Sequence, residues 1–351
     1  MRSLILSRLA FALALALAAA APPDARADSQ KLRIISWADY IPAEVIAAFR
    51  KETGIDVEVT LSNNEEMISK LRATGGAGYD LAQPSVDRIS GPQREFGIYK
   101  PIDLAKLNMA QFQPALLDVV RKNTTLDGKQ YALPYVWGTD GLVVNMKKAK
   151  VADYLDLCKP ELKGKTSVRL RRPTLMAFAF AMGKDPFALY GDPKAYGVLM
   201  DQVGATLSAC KSNLKFFYDN KDQLLNGMRS GEVVAAMMWD TGGWVLGREN
   251  PDIQYIVPRS GALGWLDTFA LPSRGRNDAA AYAWINFTMR PDMAAKVAKS
   301  VGSFSAANGT EALIGAHASP VPMQSIHWYP AIPAGLEELE GRVLDRVKAA
   351  N

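Results

Sequence analysis

The sequence predicts an α/β protein of two lobes, each built on a doubly wound, mostly parallel sheet. Three observations lead there. The chain has 351 residues, about two domains at roughly 100–200 residues each. Apolar residues make up 48% and charged residues 22%, the balance of a soluble globular protein rather than a disordered or fibrous one. Short strand and helix patterns then alternate along the chain, with no sequence repeat, no low-complexity tract and no long linker between the halves.

The first 27 residues stand apart from that pattern. Arg2 and Arg8 give a positive start, Leu9–Ala21 is an apolar run, and Ala25-Arg-Ala27 has the small-x-small form of a cleavage site. That order is a secretory signal peptide cleaved near Ala27, too short and too early for a permanent membrane span. A soluble, exported protein with no membrane insertion is therefore expected. The formal charge of +5 falls to +3 without this segment. The nearest thing to a basic patch, Arg169-Leu-Arg-Arg172, is too short for a nucleic-acid groove.

After the leader, Leu32–Trp37 reads as a short apolar strand. Pro42 suits a first helical turn, Val45 and Phe49 share one face, and Gly54 ends that helix. Ile55, Val57, Val59 and Leu61 alternate as a second strand. Ser62-Asn-Asn-Glu65 has the spacing of a capping box, leading a helix with Met67, Ile68 and Leu71 on one face and Gly75-Gly76 as its stop. Tyr79–Gln83 is the third strand. Further on, Val168–Leu170, Glu232–Trp239 and Trp265–Leu271 read as strands and Pro173–Met182 as a helix. Such close alternation predicts parallel pairing, and short crossings between lobes predict a hinge.

Cysteine usage leaves one question open. Cys158 and Cys210 are the only two. An oxidising compartment permits one bridge between them, and two buried thiols are equally compatible with the sequence.

The chemistry of most enzymes is missing. His317 and His327 are the only histidines, and there is no His-Glu-x-x-His, Cys/His cluster or Gly-x-Ser-x-Gly elbow. Gly164-Lys-Thr166 resembles the tail of a phosphate loop, but Lys159 stands where its leading Gly belongs. No cofactor or metal is expected. An exported enzyme on a two-lobed scaffold remains the alternative from another class.

What the chain does carry is a coincidence of aromatic and acidic residues at predicted strand ends. Trp37-Ala-Asp-Tyr40 closes the first strand, Ser85-Val-Asp87 follows the third, and Trp239-Asp240 and Trp265-Leu-Asp267 mark two later ones. Doubly wound sheets bind ligands outside the carboxyl ends of their strands. Ring faces with carboxylates suit an organic ammonium, each cation–π contact being worth about 0.5–2 kcal/mol.

These residues also carry a resemblance. Leu32–Ile41, Glu52-Thr-Gly-Ile55, Gly78-Tyr-Asp-Leu81 with Pro84-Ser85, Leu133-Pro-Tyr-Val-Trp-Gly-Thr139 and Gly183-Lys-Asp-Pro186 resemble the periplasmic polyamine-binding proteins of ABC importers. So do Gly231–Trp239 and Trp265-Leu-Asp-Thr-Phe-Ala-Leu-Pro272. The resemblance implies the two-lobed periplasmic binding protein fold with a ligand trapped at the hinge. It implies a monomeric receptor for a small amine, putrescine-like, delivered to an inner-membrane ABC permease. It places Trp37, Asp39, Tyr40, Ser85, Trp239, Trp265, Asp267 and Phe304 in the cleft. Lobe one is expected over 28–137 plus 266–308, and lobe two over 138–265 plus 309–351.

Departures from the family pattern bear on the ligand. An acid-containing segment reads Leu170-Arg-Arg-Pro-Thr174 here, another family acid falls on Gly242, and a pocket tyrosine is Phe304. Arg171 and Arg172 at a Pro-led helix start favour an anion, and Asp87 and Asp240 are the acids that could replace those lost. The alternative ligand is accordingly a zwitterionic or monocationic amine, such as an ω-amino acid.

Overall fold

The structure, a computed structural model, describes residues 30–314 and 321–350. The expected signal peptide lies outside the described residues. The first strand, β1 (Lys31–Ser36), buries Leu32, Ile34, Ile35 and Ser36, and helix α1 (Ala43–Thr53) packs Val45 and Phe49 against it before Gly54 turns left-handed at φ 74°. Strand β2 (Asp56–Leu61) pairs parallel with β1. Helix α2 (Asn64–Ala73) starts one residue later than the expected capping box: Asn63, not Ser62, caps it by accepting from Glu66 N at 2.9 Å. Ser62 is still engaged in the ladder, its N–H donating to Ser36 O at 2.8 Å. Strand β3 (Leu81–Ala82) completes a parallel trio.

Strand β4 (Ala132–Asn145) is buried along all 14 residues, which is why its sequence shows no alternation to read. Strand β5 (Thr166–Val168) precedes helix α3 (Arg172–Ala181) and helix α4 (Pro193–Cys210). Strand β6 (Leu214–Phe217), helix α5 (Lys221–Ser230), strand β7 (Ala235–Trp239) and helix α6 (Asp240–Glu249) follow. Strand β8 (Ile253–Ile256), the long strand β9 (Ala262–Pro272) and the terminal helix α7 (Leu336–Ala349) complete the framework used below.

One sheet runs through both halves in the order β2-β1-β3-β9-β4-β7-β5-β6. Its two flanks are parallel, as the alternation predicted. The long strands β4 and β9 are antiparallel to each other in the middle and carry the chain across. Separate apolar cores sit on the two sides of this crossing. One gathers Ile34, Phe49, Leu71, Phe269 and Trp284; another gathers Leu142, Phe178, Tyr196, Met200 and Val343; a third, smaller one gathers Val143, Tyr218, Leu225, Met238 and Leu246. Cys158 and Cys210 form a disulfide with Cα atoms 4.9 Å apart, resolving the open question in favour of the bridge. It ties the turn before β5 to the end of α4.

Candidate functional site

Where β4 and β9 cross, their register slips: Asp267 faces Val136, but Thr268 faces Pro134, leaving Tyr135 as an extra residue. Pro134 has no N–H to give the ladder, so a bulge is the natural accommodation there. Its consequence is local. Thr268 N is free to donate to Pro84 O at 2.9 Å, which docks the Pro84-Ser85 turn against the bulge and pairs Ser85 with Asp267.

Asp267 is thereby enclosed, only 4% exposed. Ser85 Oγ donates to its Oδ1 at 2.5 Å, and the Tyr40 hydroxyl donates to its Oδ2. Asn64 holds Ser85 in place through two bonds of 3.0 Å, and the Tyr135 hydroxyl donates to Tyr40 O at 2.8 Å. Burial pushes the Asp267 carboxyl up to about 6, against the lowering effect of the two hydroxyls. A carboxylate has about four lone-pair sites, so two hydroxyl donors leave capacity for an ammonium.

A cleft of about 290 Å³ opens over this carboxylate, lined by Trp37, Tyr40, Ser85, Arg169, Trp239, Thr241, Trp265, Asp267 and Val301. Trp37 is anchored by its Nε1, which donates to Gln83 O at 2.8 Å. Trp265 lies flat against Gly138: a Cβ on that glycine would stand 2.4 Å from the indole Cζ2. The Arg169 guanidinium covers the Trp239 ring at 4.9 Å.

Six of the residues expected from sequence thus meet in one place: Trp37, Tyr40, Ser85, Trp239, Trp265 and Asp267. The others stand elsewhere. Asp39 is exposed, at φ 67° in the turn after β1, a conformation short polar side chains tolerate. Phe304 stacks on Trp137 at 4.7 Å and meets Trp244 edge-on at 4.9 Å, lining a different cavity of about 200 Å³. Asp240 is fully buried at the start of α6, accepting from Thr139 N at 2.8 Å and Thr241 N at 2.7 Å; burial pushes its carboxyl up to about 7. Asp87 pairs with Arg172 at 3.0 Å, and Arg172 also pairs with Glu340 at 3.0 Å. Arg171 is exposed.

Sequence reasoning missed Arg169 as a cleft residue. Strand β5 ends at Val168, two residues before the expected end, because Arg169 O turns out of the ladder to accept from Arg171 N at 2.8 Å. The strand-end rule that selected the tryptophans selects Arg169 as well once that boundary is right. Thr241 and Val301 carried no signal beyond their neighbours.

A family model described as bacterial extracellular solute-binding protein matches residues 44–319. The spermidine/putrescine-binding periplasmic protein of Escherichia coli (strain K12) is 32% identical over 282 residues, covering 78% of this chain and 77% of that one. The putrescine-binding periplasmic protein of the same organism is 28% identical over 299 residues, with the same coverage. Among solved structures, the spermidine/putrescine ABC transporter substrate-binding protein of Streptococcus pneumoniae superposes with a TM-score of 0.76 at 25% identity, covering 92% of this chain and 99% of that one.

Proposed function

The chain belongs to the bacterial extracellular solute-binding protein family, and on that premise we propose that it captures a small aliphatic amine, of the class that includes putrescine and spermidine, for an ABC importer. The observation that carries the reading is the cleft itself: four aromatic side chains, Trp37, Tyr40, Trp239 and Trp265, around the enclosed carboxylate of Asp267. Rings attract a cation through their faces, and exclusion of water strengthens both that attraction and the pairing with Asp267. Membership in this family makes the chain a receptor rather than an enzyme.

In this reading Asp267 is the counter-ion of the ligand ammonium, Ser85 and Tyr40 orient it, and Trp265 and Trp37 supply ring faces. The two lobes, 28–137 plus 266–308 and 138–265 plus 309–351, swing about the crossing of β4 and β9 and close on the ligand. The separate cores support that division over most of the chain, but Val321 and Ile326, inside the expected second lobe, pack in the first lobe's core, which moves the last crossing to just after Ile326. The protein acts in the periplasm as a monomer after removal of residues 1–27, and hands its ligand to an inner-membrane permease. Its relatives are named as periplasmic proteins. Among the described residues no helix is long and apolar enough to cross a membrane.

A thermal-shift panel of putrescine, spermidine, agmatine and 4-aminobutyrate tests the reading. A ligand at 100 times its dissociation constant stabilises by about 2.7 kcal/mol, a shift of a few degrees at this size. At least one amine is expected to give it; no shift with any amine at millimolar concentration would overturn the assignment.

A further inference from the structure

Arg169 is the one cation among the residues lining the cleft, and a protonated diamine gives it nothing. Its guanidinium lies over Trp239 at 4.9 Å, so the ring face that a second ammonium would need is already taken by a positive charge. Its Nε–H is buried without an acceptor, and the Trp265 indole N–H in the same cleft is also buried without one. Arg169 makes no ion pair among the described residues; the buried carboxyl of Asp140 feels its charge without forming a pair.

The acids that would be needed to hold a second ammonium are committed elsewhere. Asp87 is paired with Arg172, Asp240 accepts from Thr139 and Thr241, and Asp39 faces solvent. A fully protonated polyamine offers only N–H donors and positive charge, so it leaves the Arg169 guanidinium in this cleft without a counter-charge,. A carboxylate supplies both the charge and the acceptors that a guanidinium takes.

We propose that the ligand is a short ω-amino acid, its ammonium on Asp267 and its carboxylate on Arg169, an inference that rests on the amine-receptor reading for the ammonium end. The two charges sit on different lobes. Asp267 is on β9 and Arg169 follows β5, with β4 and β7 between them in the sheet. Three strand spacings amount to about 14 Å at ~4.8 Å each, and no salt bridge joins the two side chains across the gap. An α-amino acid carries both charges on one carbon and cannot engage both groups at once; a chain of several methylenes between the ends can. The zwitterion also bridges the lobes, so each end contributes to closure.

Calorimetric titration of the mature protein with 4-aminobutyrate, 5-aminopentanoate, putrescine and butylamine tests this, in the wild type and in Arg169→Gln and Arg169→Lys. The wild type is expected to bind one of the ω-amino acids at least tenfold tighter than putrescine or butylamine. Arg169→Gln is expected to weaken the ω-amino acid about 100-fold while butylamine stays within threefold, and Arg169→Lys, which keeps the charge, to recover part of the loss. Equal weakening of every amine in Arg169→Gln would mean that the arginine serves packing alone and would overturn the inference. Putrescine binding tighter than either ω-amino acid in the wild type would overturn it too, while leaving the amine-receptor reading intact. Absence of binding by all four compounds would overturn the inference, and the amine-receptor reading falls with it when spermidine and agmatine also fail to bind.

Discussion

Replacing Asp267 by Asn isolates the charge on which the ammonium end depends. The substitution preserves shape, and the amide can still meet the Ser85 and Tyr40 hydroxyls that now donate to the carboxylate, because each hydroxyl can turn to accept instead. The empty protein should not suffer. Burial has raised this carboxyl from 3.8 to about 6. At 1.36 kcal/mol per unit, keeping it ionised costs roughly 3 kcal/mol, a cost absent in the amide. Asp267→Asn should therefore melt no lower than the wild type at pH 7.5. Ligand binding should collapse, because the ammonium loses the one carboxylate among the residues lining the cleft. Removing one partner of a buried, hydrogen-bonded charge pair costs ~2–5 kcal/mol, about 30- to 4,000-fold in affinity. Paired calorimetry and thermal melts read both quantities. An affinity within threefold of wild type, with the melt unchanged, would refute the counter-ion role.

Other perturbations follow from the same geometry. Gly138→Ala places a methyl 2.4 Å from the Trp265 ring and should displace the indole, weakening the ligand about tenfold as tryptophan fluorescence shifts; an unmoved spectrum would count against the packing described. Binding should weaken about tenfold per pH unit below roughly 6, because Asp267 is neutral there,; a flat titration from pH 7.5 to 5 would contradict it. The folded pKa being raised, the stability that Asp267 contributes is complete below about 4 and lost as pH rises through about 6, so the empty protein should melt lower at pH 7 than at pH 5, and ligand should narrow that difference. Replacing Cys158 and Cys210 by Ala opens a loop spanning 52 residues and should cost about 2–4 kcal/mol of stability without changing ligand affinity. Small-angle scattering should show a smaller radius with saturating ligand, and an unchanged radius would argue against a hinge.

How much of this was legible in the sequence depended on how each residue is held. The flanking strands and helices were readable because one face of each is apolar: Val45 and Phe49 on α1, Met67 and Leu71 on α2. Strand β4 was not, since a segment buried on every side shows neither period,. The aromatic and acidic strand ends pointed to the cleft because the carboxyl ends of a parallel sheet converge on one crevice. Asp267 was named with those strand ends although it lies inside the antiparallel strand β9, at its bulge, and Arg169, which lines the same cleft, was hidden by a two-residue error in where β5 stops. Arg171 and Arg172 drew attention as a doublet, yet strand geometry and a pairing with Asp87 and Glu340, both remote in sequence, decide which way such side chains face. Phe304 lies near the cleft in sequence pattern only, because its ring fills the stack between Trp137 and Trp244.

The most direct test of the central claim is the position of the ligand nitrogen in a crystal of the protein grown with the amine that binds it best. The account predicts the ammonium within about 3 Å of an Asp267 carboxylate oxygen, with the Trp37 and Trp265 rings beside it. An amine bound outside the cleft, or one inside it whose nitrogen avoids Asp267, would contradict the account.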